Sequence, residues 1–378
     1  MTSTLFSAID HLHMTRALRL AECGLYTTQP NPRVGCVIAR EEETVGEGWH
    51  RRAGEPHAEV YALRAAGERA RGATAYVTLE PCSHFGRTPP CADALIAAGI
   101  KRVVVASEDS NPQVAGGGFA KLRAAGIVVD IGLMRDAARE LNRGFFARVE
   151  RGRPWVRVKL AMSLDGRSAL ANGESKWITG EPSRADVQRW RARSSAIMTG
   201  SGTVFADDPR LTVRMAPMRS LMAVEEIVDG ADGPKPLRVV LDRDLRTPVG
   251  ARVLDGSAPT LVVHADAVRT AAAHFGDIER AVVALDARGR LNLVEVLRLL
   301  SSRGVNELQV EAGATLCGAL FQAGLVDELL VYVAPIVLGD RARPLLALHE
   351  LADMASARRL RAVDRRQIGH DERFLYRD

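Results

Sequence analysis

Two short runs constrain this chain more than any other feature: His57-Ala58-Glu59, and further on Pro81-Cys82 followed by Cys91. One imidazole nitrogen and two thiolates form a donor set for zinc that leaves the fourth tetrahedral position open. Such a set works only if the three side chains meet, so the fold must bring residues 57, 82 and 91 to one place. Glu55-Pro56-His57 reads as a turn, Ala58 to Ala66 as a helix, Ala73 to Leu79 as a strand, and Pro81-Cys82 as the next turn. Ligands at the N-termini of two helices flanking a strand converge at one edge of a sheet.

Glu59 follows His57 by two residues and is not a ligand in this reading. A carboxylate beside a metal-activated water can carry protons, which is the role of the matching Glu in zinc-dependent base deaminases. The residues leave the third ligand open. The general signature is Pro-Cys-x-x-Cys, whereas Cys82 and Cys91 enclose a longer loop, Ser83 to Pro90, and His84 within it is a rival ligand. A lone His or Cys is usually a core residue; the ordered set argues otherwise.

The surrounding chain alternates helices and strands. Met14, Ala17, Leu18 and Ala21 form one apolar helix face within Asp10 to Glu22. Val34 to Ala39 and Val45 to Trp49 read as a hairpin, Ala92 to Ala98 as a helix, and Arg102 to Ala106 as a strand. Phe119 to Ala125 reads as a helix and Ile127 to Ile131 as a strand. This is the pattern of an α/β layer architecture. Asn31, Asp109 and Asn111 fall at strand ends, where α/β sheets bind ligands; as isolated residues they are also ordinary turn formers. Ala137 to Arg153 reads as one charged helix ending in a linker, which places a domain boundary near 150.

Beyond it, Trp155 to Met162 is β-rich, Glu181 to Arg193 a helix, and Ser195 to Thr199 a strand. Gly200 to Ala206 is rich in Gly and Ser, and Met215 to Pro236 reads as an irregular insertion. Leu237 to Asp242, Thr260 to His264 and Leu329 to Ala334 read as strands, and Leu293 to Leu300 as a helix. The strand Glu307 to Glu311 opens onto Ala312-Gly313-Ala314-Thr315-Leu316-Cys317-Gly318, a strand-to-helix turn whose N–H groups suit a phosphate.

The 378 residues suffice for two domains, and the formal charge of +5 is small for that length. Without dense basic runs interleaved with aromatics, a nucleic-acid partner is not expected. No apolar run is long enough for a membrane span, and no signal peptide is read at the start. Five cysteines with two assigned to metal suit a reducing, cytoplasmic setting.

Taken together, these motifs resemble the bifunctional riboflavin-biosynthesis deaminase–reductases. The likeness rests on Asn31-Pro32-Arg33-Val34-Gly35-Cys36, Gly54-Glu55-Pro56-His57-Ala58-Glu59, Thr78-Leu79-Glu80-Pro81-Cys82-Ser83-His84, Gly86-Arg87-Thr88-Pro89-Pro90-Cys91 and Asn111-Pro112-Gln113-Val114-Ala115-Gly116. In the second half it rests on Lys159 to Gly166, Gly173-Glu174-Ser175, Ala206-Asp207-Asp208-Pro209, Leu211-Thr212-Val213-Arg214 and Glu311 to Leu316. The Cys82–Cys91 spacing is that of this family, which weakens the case for His84.

The resemblance implies a cytidine-deaminase-like three-layer α/β/α domain over 1–150 and a dihydrofolate-reductase-like α/β domain over 151–378. The first removes the 2-amino group of 2,5-diamino-6-(5-phosphoribosylamino)pyrimidin-4(3H)-one; the second uses NADPH to reduce the ribosyl group to ribityl. It implies one zinc per chain on His57, Cys82 and Cys91, with Glu59 catalytic, and a homo-oligomer. Asn31, Asp109, Asn111, Ser175, Arg191, Leu211, Arg214 and Glu311 match substrate positions, with Arg191 and Arg214 suited to a sugar phosphate. Ala161, Trp177, Thr203, Asp207 and the turn Gly313, Ala314, Thr315, Leu316, Cys317, Gly318, Ala319 match the NADPH site. Two departures stand out: Phe85 where a second His is common, and Arg243 where a small polar residue often meets the cofactor. The charge of Arg243 would suit a 2′-phosphate.

Overall fold

The computed structural model describes residues 6–83, 90–111, 115–215, 233–266 and 275–378. The rival ligand His84, the departure at Phe85 and most of the Met215–Pro236 insertion lie outside them. The chain divides into two compact units, Met1–Gly152 and Arg153–Asp378.

The first unit is built on a five-stranded sheet of β1 (Gly35–Arg40), β2 (Glu43–Trp49), β3 (Thr74–Leu79), β4 (Arg102–Ser107) and β5 (Val128–Ile131), in the order β2-β1-β3-β4-β5. Strand β1 runs antiparallel to both neighbours, while β3, β4 and β5 are parallel. The central strands β1, β3 and β4 are mostly apolar and buried because both faces are covered. Cys36, Ile38, Ala75, Val77, Val103 and Val105 pack towards α2 (Ala58–Ala66), α3 (Cys91–Ala97) and α4 (Gly117–Ala124). The intervening Val37, Ala39, Tyr76, Val104 and Ala106 pack towards α1 (Ala8–Glu22) and α5 (Arg135–Leu141).

Small residues on β2 set the height of α2. A Cβ at Gly46 would stand 2.3 Å from the Ala62 carbonyl oxygen, and one at Gly48 would stand 2.8 Å from that of Ala58. Any larger residue lifts the helix from the sheet. The charged helix expected over 137–153 is instead two: α5 stops and α6 (Arg143–Arg151) begins at Asn142. The reason is that Asn142 bonds across the fold, its Oδ1 accepting from Arg33 N and its Nδ2 donating to Arg33 O, both at 2.8 Å.

Helix α1 is fixed at its start by a reciprocal cap. Asp10 N donates to Ser7 Oγ at 3.1 Å and Ser7 N to Asp10 Oδ2 at 2.9 Å. The same carboxylate accepts from Tyr76 Oη at 3.0 Å and from Arg102 Nη1 at 2.6 Å. Burial opposes its charge, but Arg102, Ser7 and Tyr76 together hold the Asp10 carboxyl well below the usual carboxylate range.

The second unit holds a nine-stranded sheet of β6 (Trp155–Ser163), β8 (Ala196–Gly200), β9 (Leu237–Leu241), β10 (Thr260–His264), β11 (Glu279–Val282), β12 (Glu307–Val310), β13 (Glu328–Ala334), β15 (Arg361–Ile368) and β16 (Asp371–Arg377). Its order is β11-β10-β9-β8-β12-β6-β13-β16-β15, parallel from β11 to β13 and antiparallel beyond. A separate two-stranded ribbon pairs β7 (Arg167–Ala169) with β14 (Arg343–Pro344). Helices α9 (Leu293–Ser302) and α10 (Ala314–Gln322) bury Val296, Leu297, Leu300, Cys317 and Leu320 on one face. On the other face α7 (Glu181–Arg193) places Val187 against Leu330 and Tyr332, and α8 (Ser201–Asp207) places Val204 against Ile197 and Val240. The Gly- and Ser-rich stretch after β8 is thus a helix, and the strands at 361–377 have no counterpart in the sequence reading. Under α7 the sheet carries a buried charge cluster: Arg157 pairs with Glu307 at 3.0 Å and Glu328 at 2.8 Å, its guanidinium 4.6 Å from the Trp190 ring centre.

A carboxyl depressed in the fold contributes stability above its unfolded value of about 3.9 and loses that contribution as pH falls. Asp10→Asn is expected to lower stability by about 2 kcal/mol at pH 7. Urea melts should show the gap between variant and parent narrowing progressively below about pH 4.

Candidate active sites

In the first unit, His57 is the N-cap residue of α2 and Cys91 the first residue of α3, while Cys82 follows β3. The sequence arrangement therefore does converge them. His57 Nδ1 lies 3.2 Å from Cys91 Sγ and 3.6 Å from Cys82 Sγ, and the three donor atoms all lie within 4.8 Å of one another. Ligands of a tetrahedral zinc ion, bound at the usual Zn–N and Zn–S lengths, stand about 3.5–4 Å apart, so the set fits zinc. Cys91 N also donates to Cys82 Sγ at 3.3 Å. Hydrogen bonding from the Cys91 thiol, then from His57, pushes Cys82 down to about 4 against the effect of burial. The same contact and burial push Cys91 up. One sulfur is thus a ready thiolate, and a cation would displace the proton from the other.

Glu59 lies in the first turn of α2 and is only 3% exposed. Burial pushes its carboxyl above the ordinary range, with His57 opposing. Nearby, burial pushes the His50 ring below its usual range, opposed by the hydrogen bond from its Nδ1 to the Pro56 carbonyl at 3.1 Å. That leaves Nε2 as the acceptor for Asn31 Nδ2 at 3.0 Å, so Asn31 stands beside the ring that meets His57 edge-on at 5.4 Å. Asp109 is buried after β4, and its Oδ1 accepts from Asn111 N at 2.8 Å.

The second unit contains a cavity of about 1420 Å³ at the C-terminal ends of the parallel strands. Among the expected residues, Ala161, Ser175, Trp177, Arg191, Thr203, Asp207, Leu211, Arg214, Arg243 and Glu311 line it, as do Gly313, Ala314, Thr315, Leu316 and Ala319. Ten Lys or Arg residues and four Asp or Glu residues line it, so it is strongly electropositive. Gly313 is the N-cap of α10 without a side-chain cap, and open space surrounds the position of a Cβ there. The first N–H groups of α10 thus face a positive cavity, a fit for a phosphate.

Two of the expected cofactor positions lie elsewhere. Cys317 and Gly318 do not line the cavity. Cys317 is buried in the core with its thiol on the Ala312 carbonyl, and a Cβ at Gly318 would stand 2.3 Å from the Ala347 carbonyl oxygen. Those two residues seat the helix. Arg191 reaches the cavity with three of its five N–H groups already engaged: its Nε and Nη2 donate to Glu311 at 2.7 and 2.8 Å and its Nη1 to the Thr212 carbonyl at 2.9 Å. Arg243 is likewise engaged, by Asp244 at 2.8 and 2.9 Å and by the Gly289 carbonyl at 2.9 Å. Burial opposes the Glu311 charge, yet Arg191, Lys159 and Gln309 hold its carboxyl down to about 2. Burial pushes the Lys159 amine below its usual range.

Two family models match the chain: the cytidine and deoxycytidylate deaminase zinc-binding region over residues 7–107 and the RibD C-terminal domain over 154–372. The riboflavin biosynthesis protein RibD of Escherichia coli K12 is 49% identical over 362 residues, which cover 96% of this chain and 97% of that protein. The chain belongs to the RibD family. The RibD of Haemophilus influenzae is 47% identical, covering 98% of both chains. The solved structure of Acinetobacter baumannii RibD matches with a TM-score of 0.88 at 45% identity, covering 98% of each chain. A diaminohydroxyphosphoribosylaminopyrimidine deaminase/5-amino-6-(5-phosphoribosylamino)uracil reductase from Thermotoga maritima matches at 0.82 and 32%, again over 98% of each. Membership fixes the fold as a cytidine-deaminase-like unit joined to a dihydrofolate-reductase-like RibD C-terminal unit, and the protein as a bifunctional riboflavin-biosynthesis enzyme. Among the described residues no helix is long and apolar enough to cross a membrane.

Two residues at these sites escape the sequence reading. His50 follows β2 and carries no motif of its own, and Arg184, 4.4 Å from the Trp177 ring centre, is one of many arginines.

In metal-free protein at pH 6, iodoacetamide should alkylate Cys82 well ahead of Cys36, Cys91 and Cys317, since burial and contacts push these three of its four fellow thiols up. Peptide mass spectrometry checks this, and prior loading with zinc should abolish the labelling.

Proposed function

We propose that the first unit hydrolyses the 2-amino group of 2,5-diamino-6-(5-phosphoribosylamino)pyrimidin-4(3H)-one and that the second reduces the ribosyl group of the product with NADPH, giving 5-amino-6-(5-phosphoribitylamino)uracil. The observation that carries the reading is the convergence of His57, Cys82 and Cys91 beside a buried Glu59.

His57, Cys82 and Cys91 would hold the zinc. When bound, the ion supplies Lewis acidity that brings the ionisation of water towards ~7. Glu59 takes the proton of the attacking water and delivers it to the ring nitrogen. It then takes the remaining proton from the added hydroxyl and passes it to the amine, which leaves as ammonia while the carbonyl forms. Its raised affinity for protons, a result of burial, suits a group that must both accept and donate. Asn31, fixed by His50, and Asp109 and Asn111 on the loop after β4 are the residues we assign to holding the pyrimidine.

In the second unit the α10 N-terminus and the cationic lining fit the phosphates of NADPH, with Ala161, Trp177, Thr203 and Asp207 around it. The cofactor supplies the hydride. Arg191 holds Glu311 ionised and oriented, and Lys159 lies close enough to Glu311 to stabilise its charge, so these side chains position the polar groups of the sugar. Arg214 is exposed at the cavity and has no ion pair among the described residues, so it is our candidate for the sugar phosphate.

Purified protein incubated with the diaminopyrimidine phosphate, with and without NADPH, should yield the deaminated product alone and then the ribityl product, resolved by mass spectrometry. Glu59→Gln should lower deamination by about a thousandfold or more, retain zinc, and oxidise NADPH at the parent rate on predeaminated substrate. Deamination at the parent rate in that variant would remove Glu59 from the mechanism.

A further inference from the structure

Glu80 directly follows β3, two residues before Cys82, and is 4% exposed. It takes part in no ion pair among the described residues. Its carboxylate is instead met by three backbone donors: Asp109 N at 3.3 Å and Gly116 N at 3.1 Å on Oε2, and Gly118 N at 3.0 Å on Oε1. Asp109 and Gly116 are the two ends of the loop that carries Asp109 and Asn111, and Gly118 lies in the first turn of α4. A buried carboxylate is costly unless its lone pairs are satisfied, and here the donors are backbone N–H groups of a helix start and a loop.

The glycines make the contact possible. A Cβ at Gly118 would stand 2.1 Å from the Pro81 carbonyl oxygen, and one at Gly117 would stand 2.6 Å from Ser83 Oγ. The start of α4 is therefore pressed onto the Glu80–Ser83 segment, which also carries the ligand Cys82. One side chain fastens both ends of the loop at 109 and 116 to the strand that delivers the metal ligand.

We propose that Glu80 is a positioning residue for deamination: it sets the Asp109–Asn111 loop at the distance from the metal site at which the pyrimidine is held. The proposal rests on the reading of the first unit as the pyrimidine deaminase. Gln is the informative replacement, because its amide group keeps the shape but turns one acceptor into a donor that faces backbone N–H groups.

Glu80→Gln is tested as full-length zinc-loaded protein. KM for the diaminopyrimidine phosphate should rise about tenfold or more, corresponding to one lost buried hydrogen bond, while kcat changes less. Zinc should stay at one per chain, and NADPH oxidation on predeaminated substrate should be unchanged. Glu80→Asp keeps the charge and both acceptors and should recover part of the loss. A parent-like KM in Glu80→Gln overturns the proposal, even if its thermal stability falls. Should neither variant fold, hydrogen exchange on the parent decides: slow amides at Gly116 and Gly118 support the contact, and fast ones overturn it. A parent that does not deaminate the pyrimidine defeats the functional reading itself, whereas an active parent with an indifferent variant defeats only the role of Glu80.

Discussion

The first unit depends on how closely one short helix can approach one strand. Helix α2 opens on His57, one of three residues that could hold a metal ion, and the buried Glu59, so its height above the sheet sets where both groups stand. That height is permitted by Gly46 and Gly48, whose missing side chains let the Ala58 and Ala62 carbonyls sit almost on the strand. The alanines at 58, 62 and 66 complete a surface with little bulk. Catalytic geometry here is a packing result before it is an electrostatic one.

The second unit solves a different problem, since its working groups are charged and half-buried. Alternate residues of β6 and β12 face α7 and form a polar stripe, from Arg157, Glu307 and Gln309 deep in the fold to Lys159 and Glu311 at the cavity. Helix α7 supplies the counterparts, Arg193 to Glu307 and Arg191 to Glu311. The carboxylate at the cavity is thus the outermost member of a series of paired charges, and its ionisation is secured by the same helix that packs the sheet.

Much of this was legible in the residues. The deaminase unit's strands alternate with helices at Gly and Pro breaks, and its His57, Cys82 and Cys91 stand in the order of a metal donor set. Element ends came within a few residues because the apolar periods are strong, as in Ala58–Ala66, which the structure reproduces. What the sequence hid was long-range. The break at Asn142 depends on a partner far back along the chain, at Arg33. The pairing of Arg191 depends on Glu311 and Thr212, so an arginine that looks suited to phosphate also orients a carboxylate. Cys317 and Gly318 belong to a helix whose inner side is as apolar as its turn is polar, and only the structure shows which side each takes. The edge strands at 361–377 are masked in the sequence by their arginines, which stay exposed on β15.

The bond pair between Asn142 and Arg33 has a consequence for the modularity of the fold. An amide side chain there imitates a neighbouring β-strand, giving one backbone residue both of the partners it would find in a sheet. The turn that bears Asn31 is therefore indexed by a residue at the far end of its unit, and a chimera exchanging residues 30–34 with a relative inherits the correct turn only if position 142 travels with it.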